Sequence, residues 1–295
     1  MTAPVARQTV TVVEVGPRDG LQNEDRIVPI ACKIAFVESL ADSGLQVIET
    51  TSFVHPSLVP QLADAEALML ALTQRSQTRY VALVPNERGY DRARSAGTSA
   101  IALFTAATEE FSQANIRCSI DESFQRFAPV VRRATAEGVW VRGYVSVAFT
   151  CPYSGRVPAE SALRVAARLI ELGCDQVALA DTIGGATTED VDSLMRLLPD
   201  YVPIPNTALH FHDTRGEALA NVGIGLSHGV RVFDGAAGGL GGCPFAPGAA
   251  GNLSTERLVA FLEARGYRTG VNAAAVTSAG AEMRKFVGTP ATAIR

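Results

Sequence analysis

Two of the four histidines of the chain stand two residues apart in His210-Phe211-His212-Asp213, directly after Ala208-Leu209 and shortly before a helix-like run from Glu217. In an extended strand, residues i and i+2 point to the same side, so His210 and His212 present both imidazoles to one place. Neutral imidazole is a good ligand for divalent ions, and a pair at a strand end can hold one. The same pattern suits two packed or hydrogen-bonded rings equally well. The two readings separate on whether the rest of the chain brings oxygen ligands to the same point.

Strand-like apolar runs recur at 10–15, 46–53, 78–84, 99–104, 139–149, 176–181, 207–213 and 230–236. Amphipathic stretches of helical period separate many of them, at 30–43, 61–74, 119–137, 159–172, 188–198 and 217–228. Runs that are apolar throughout predict a parallel sheet covered on both faces. Eight such units with no linker between halves predict a single α/β domain over residues 1–295, a (β/α)8 TIM barrel with extra C-terminal helices. An open dinucleotide-binding sheet needs a GxGxxG turn after its first strand, and Gly16-Pro17-Arg18-Asp19-Gly20 is not one.

A barrel of this kind carries its chemistry where the strands end. Those positions hold Arg18 and Asp19 after the first run, Glu49 and Ser52 at the second, Asn86 after the third, and Cys151 and Tyr153 after the fifth. Asp181 falls at the sixth, His210 and His212 at the seventh, and Asp234 at the eighth. The first and seventh strands flank the eighth, so the Asp19 carboxylate can reach an ion held by both histidines. Imidazoles with hard oxygen ligands and no thiolate favour Mg2+ or Mn2+. Viewed alone, Arg18 and Asp19 are equally an ordinary salt bridge at the barrel mouth. Beside a metal ligand, the Arg18 guanidinium suits a developing oxyanion. Glu49 and Asp181 suit either the orientation of a ligand or the tying of loops.

The segment from Asp234 to Asn252, DGAAGGLGGCPFAPGAAGN, lets backbone approach a ligand and lets a loop move, although glycine richness alone fits a plain connector. It carries Cys243, a thiol able to act as acid or base, and ends at Asn252. Asn252 either caps a helix starting near Ser254 or offers its side-chain oxygen to the metal.

Lys and Arg number 26 against 30 Asp and Glu, a formal charge of -4 that gives no basic footprint for nucleic acid or an anionic membrane. No apolar run spans a bilayer and the opening MTAPVARQTV lacks the core of a signal peptide, so a soluble, cytoplasmic protein is expected. Five cysteines without a CxxC predict reduced thiols; Cys32, Cys118 and Cys174 read as structural, and His55 and His228 need no catalytic role.

Taken together, GPRDGLQNE at 16–24, ETTSFV at 49–54, GYVSVAFTCPYSG at 143–155, LADTIG at 179–184, HFHDTRGEALAN at 210–221 and GLGGCPFAPGAAGN at 239–252 resemble the hydroxymethylglutaryl-CoA lyase family, metal-dependent TIM barrels. The likeness runs in order along almost the whole chain. It implies retro-Claisen cleavage of (S)-3-hydroxy-3-methylglutaryl-CoA to acetyl-CoA and acetoacetate, as in leucine degradation, with a divalent ion, Mg2+ or Mn2+, and no organic cofactor beyond the CoA of the substrate. By matched positions it implies Asp19, His210, His212 and Asn252 as metal ligands, with Asp19 and His210 counted among the catalytic groups. It implies Arg18 as the stabiliser of the departing enolate, Cys243 as the proton donor, and Gln22, Glu49 and Asp181 as residues on the substrate side.

The chain departs from the family at Asp25, where a Lys often meets CoA; Arg26 beside it is the expected substitute. Arg215 stands where Tyr is common, and Pro247 and Ala250 differ from other lyases. A lyase for a longer-tailed 3-hydroxyglutaryl-CoA and a related-barrel aldolase or condensing acyltransferase are the alternatives. A purely binding barrel fits less well, because no residue of the matched set is missing. The expected partner is an acyl-CoA, with a homodimer or higher homo-oligomer open.

Overall fold

The structure, a computed structural model, describes residues 7–241 and 251–287. Eight parallel strands close into a barrel: β1 (Thr11–Glu14), β2 (Val47–Ser52), β3 (Arg79–Leu83), β4 (Ala100–Ala106), β5 (Trp140–Ser146), β6 (Gln176–Asp181), β7 (Thr207–Phe211) and β8 (Val232–Gly235). Each strand lies beside its neighbours in sequence, and β8 pairs back to β1 with Val13 opposite Asp234 and Glu14 opposite Gly235. The strand set therefore matches the eight runs of the sequence, and the barrel expected from them is observed.

The outer layer consists of α1 (Ile30–Asp42), α2 (Ala65–Ala71), α3 (Glu87–Ser95), α4 (Glu109–Ile116), α5 (Ile120–Ala136), α6 (Ala159–Leu172), α7 (Thr188–Leu197) and α8 (Ala218–Ser227), followed by α9 (Thr255–Ala264) and α10 (Ala273–Val287). Their apolar faces set Leu40, Val130, Leu169, Leu194 and Leu226 against the strand residues in one buried cluster. Each such Leu contributes about 1.5–3 kcal/mol of transfer free energy on burial. Side-chain caps fix several helix starts, with Ser119 making a capping box at α5 and Thr187 at α7. The 61–74 stretch is shorter than its periodicity suggests: Asp64 precedes α2, and a single turn at Pro60–Leu62 comes before it.

Two features of this packing position the mouth. Helix α8 seats close against β7, since a Cβ on Gly225 would lie 2.5 Å from Leu209 Cδ1. That contact steadies the strand carrying His210. The pairing of β2 with β3 shifts register between Glu49 and Thr51, an irregularity of the kind found beside functional sites. Among the described residues, no helix is long and apolar enough to cross a membrane.

Candidate active site

After β1 the chain makes one wide turn, Gly16–Gly20, in which the amides of Arg18, Asp19 and Gly20 all point at the Val15 carbonyl, at 3.2, 2.8 and 3.2 Å. Three donors on one acceptor fix the turn tightly, and it carries Arg18 and Asp19 across the mouth. On the other side of β8, His210 lies within β7 and His212 directly follows it. Asp19, His210 and His212 each offer a ligand atom, and these atoms lie within 4.8 Å of one another.

Asn252 joins them. Its amide nitrogen donates to Asp19 Oδ2 at 2.9 Å and to the Leu240 carbonyl at 3.2 Å, while its Oδ1 is buried without a hydrogen-bond partner among the described residues. The capping alternative for Asn252 falls away, because Ser254 itself caps α9 by accepting from the Arg257 amide at 3.2 Å. His212 Nδ1 is likewise buried and unpartnered. Buried lone pairs without donors cost free energy unless something else satisfies them. An orphaned amide oxygen and an orphaned imidazole nitrogen beside a carboxylate form the donor set of a divalent ion, so the residues present fit a metal.

The protonation states of His212 and Asp19 agree with ligation. Burial, with the neighbouring His210, pushes His212 down to about 4, which keeps its ring neutral near pH 7. Burial also works against ionisation of Asp19, but Arg18 and the two histidines outweigh it and hold the carboxyl far below its ordinary range. His210 is disfavoured as a cation by burial, yet its contact with Asp234 raises its pKa overall. The Nδ1 of His210 lies 3.2 Å from Asp234 Oδ2. That pairing assigns the ring proton to Nδ1 and leaves Nε2 as the lone-pair donor.

Below the mouth runs a fully buried polar network. Arg142 donates to Asp234 Oδ1 at 2.6 Å, and Tyr144 Oη lies 3.2 Å from both Asp234 Oδ2 and Glu49 Oε2. A phenol has one hydrogen, so Tyr144 serves one carboxylate at a time. Glu49 Oε2 also accepts from Arg18 Nη2 at 2.8 Å, and Arg18 Nη1 donates to Asp19 Oδ1 at 2.7 Å. Arg18 is thus clamped between two carboxylates, which raise its pKa against the opposing effect of burial. Its Nε remains buried and unpaired among the described residues.

Residues 9–282 match the HMGL-like family model. The chain belongs to the HMGL-like family. Hydroxymethylglutaryl-CoA lyase of Pseudomonas mevalonii is 46% identical over 282 residues, covering 96% of this chain and 94% of that one. An HMG-CoA lyase structure from Brucella melitensis superposes with a TM-score of 0.94 at 44% identity, covering 96% of this chain and all of the other. An HMG-CoA lyase from Acinetobacter baumannii in complex with coenzyme A and 3-methylmalate superposes with a TM-score of 0.92 at 34% identity, covering 100% of this chain and 95% of that one.

For this HMGL-like chain the expected site residues distribute unevenly. Arg18, Asp19, Glu49, His210, His212 and Asn252 converge. Gln22 lies at the edge, with its Oε1 3.4 Å from Arg18 Nη1. Asp181 spends both oxygens on the amides of Gly185 and Ala186 at 2.9 and 3.0 Å, so it ties the loop after β6. Burial raises its pKa despite those bonds. Arg26 is exposed and donates to the Phe286 carbonyl at 3.2 Å. Cys243, Pro247 and Ala250 lie outside the described residues. Cys151, read from sequence as a rim thiol, is buried and accepts from Thr108 Oγ1 at 3.2 Å.

Arg142 and Tyr144, together with the bonding of Asp234, were not foreseen from the chain. One signal was present: a charged Arg inside the otherwise apolar run WVRGYVS, two residues from a Tyr and hence on the same strand face.

Proposed function

We propose that this protein cleaves (S)-3-hydroxy-3-methylglutaryl-CoA to acetyl-CoA and acetoacetate, with residues 1–295 acting as one catalytic domain. The observation that carries the reading is the convergence of Asp19, His210, His212 and the unpartnered Asn252 oxygen at the barrel mouth, with Arg18 fixed beside them. A divalent ion held by these residues supplies Lewis acidity toward a substrate hydroxyl. With two imidazoles and oxygen donors, and no thiolate in the cluster, Mg2+ or Mn2+ is the ion of this reading.

Cleavage removes the proton of the tertiary hydroxyl, turns that carbon into the ketone of acetoacetate and leaves the bonding pair on the thioester fragment. Negative charge then grows on the thioester oxygen. Arg18 is the fixed cation nearest the ligand cluster, and its unpaired Nε is a donor not already committed. Clamping by Asp19 and Glu49 means the guanidinium needs no reorganisation as charge develops. The enolate finally takes a proton to become acetyl-CoA, and Cys243 is the assigned donor. Glu49 and Tyr144 hold Arg18 and the network beneath it, Gln22 flanks the same guanidinium, and Arg26 is the cation offered to the CoA moiety. The bound CoA of the Acinetobacter baumannii relative supports an acyl-CoA at this mouth. Leucine breakdown as the setting rests on the sequence resemblance.

Purified protein with Mg2+ or Mn2+ should release acetyl-CoA from the methyl substrate, and a chelator should stop it. Release only from a longer-tailed 3-hydroxyglutaryl-CoA would move the acyl assignment. No release from any such thioester would overturn the lyase reading.

A further inference from the structure

Glu14 closes β1 and is fully buried, yet among the described residues no Lys, Arg or His side chain hydrogen-bonds to it. Its carboxylate meets three donors from three separate segments. Oε1 accepts from the Gly16 amide and from the Ala237 amide, each at 2.8 Å, and Oε2 accepts from Thr255 Oγ1 at 2.7 Å. The surroundings leave room for it only because they lack side chains. A Cβ on Gly16 would sit 2.5 Å from Glu14 Oε1, and one on Gly235 would sit 2.7 Å from Thr255 Oγ1.

Each of the three segments leads to the ligand cluster. Gly16 opens the turn that carries Arg18 and Asp19. Ala237 begins the stretch to Leu240, whose carbonyl accepts from the Asn252 amide. Thr255 follows Asn252 by three residues, and its own amide donates to Ala236 at 3.2 Å. An unpaired buried carboxylate is expensive, and an apolar side chain would fill the space at less cost were it not for the donors it satisfies.

We infer that Glu14 is a positioning residue for the metal site: its carboxylate sets the separation between the turn that carries Asp19 and the segment that carries Asn252. It touches no proposed ligand itself, and it acts through the Gly16 amide, the Ala237 amide and the Thr255 hydroxyl. The inference rests on the metal site proposed above.

Direct Mn2+ titration, read by electron paramagnetic resonance or calorimetry without substrate, tests it. Glu14→Ala leaves two buried amides unsatisfied and should weaken Mn2+ binding about 10-fold or more, the range seen when outer supports of a metal site are removed. Glu14→Gln should stay close to the wild type, because its carbonyl can accept from both amides while its NH2 donates to a rotated Thr255 hydroxyl. Thr255→Val, which removes only one donor and keeps the shape, should fall between them; if Glu14→Ala does not fold, this variant and Glu14→Gln carry the test. Ser123→Ala is the control for general loosening, since it breaks the buried 2.9 Å contact with Thr105 between β4 and α5 and should leave Mn2+ affinity unchanged.

Wild-type Mn2+ affinity retained in folded Glu14→Ala overturns the inference while leaving the metal site standing. Wild-type affinity retained in Thr255→Val, where Glu14→Ala is unfolded, overturns it too, as does an equal loss in Ser123→Ala. A wild-type protein that binds no Mn2+ overturns the metal site itself, and this inference with it.

Discussion

Asp234 answers to Arg142 and His210 at once, accepting from Arg142 on one oxygen and from His210 on the other. Burial opposes its ionisation, but Arg142 and His210 prevail and lower its pKa. Asp234→Asn keeps the shape and removes the charge, leaving Arg142 buried without compensation. Stability should fall by about 3–5 kcal/mol in urea unfolding, and Mn2+ affinity by about 10- to 100-fold. Unchanged Mn2+ binding in a folded Asp234→Asn protein would remove Asp234 from the orientation of His210. Arg18 predicts a different pattern. Arg18→Gln should lower kcat by about 10^2- to 10^3-fold, because its charge is most useful as the oxyanion forms. A rise in KM with kcat intact would instead mark Arg18 as a uniform binder of substrate. Legibility at this scale divides by chemistry. The HxH pair and the Asp after the first strand announce themselves by residue type and spacing. Arg142 and Tyr144 do not, because their partners Asp234 and Glu49 come from strands ninety or more positions away and meet them only once the barrel closes.

The ends of β1, β8 and the start of α9 meet at Glu14, and that junction should be visible in the pH dependence of folding. Burial pushes the Glu14 carboxyl up from 4.5 to about 7, with Thr255, Ala237 and Gly16 pulling the other way and Glu256 adding to the rise. Between those pH values the folded chain holds a proton that the unfolded chain has released. Unfolding then releases this proton, so the contribution of Glu14 to stability is full below pH 4.5 and is lost as pH climbs through 7, while His212, held down to about 4, contributes the opposite slope over much of the same window. The loss from Glu14 alone is on the order of 3 kcal/mol. Urea unfolding of chelator-treated wild type and Glu14→Gln across that window isolates the Glu14 contribution: the stability of wild type minus that of Glu14→Gln should fall with rising pH by that amount, and parallel profiles would mean that the Glu14 pKa is not raised by folding. At this scale the strands were readable because most are dominated by apolar and β-branched residues, as in a sheet covered on both faces. Helices α3 and α4 escaped notice for the opposite reason. In ERGYDRARS only Gly89, Tyr90 and Ala93 are buried, and α4 buries only Phe111 and Ser112, so neither shows a long apolar stripe. The Gly16–Gly20 turn has no periodicity to read, although the glycines and Pro17 mark a break there.

The proposed ligand set also ties together distant parts of the molecule. Asp19 comes from the turn after the first strand, His210 and His212 from the seventh, and Asn252 from the segment after the eighth, where β8 closes against β1. Closure there rests on four paired positions between β1 and β8, and β1 meets β2 over only two. Metal bound across this seam joins the two ends of the barrel strand order, and the unfolded chain, which separates those ligands, binds it far more weakly. Mass action then converts affinity into stability: at a free Mn2+ concentration one hundred times Kd, the unfolding free energy should rise by about 2.7 kcal/mol. For a chain of this size that corresponds to an increase in Tm of roughly 5 °C. The increase should be absent in His212→Ala, whose ring contributes one of the clustered ligand atoms, and should persist in Cys151→Ala, whose thiol is not among them. Calorimetric scans with and without Mn2+ provide the measurement. An equal shift in wild type and His212→Ala would place the stabilising ion elsewhere on the molecule and detach the seam from the metal.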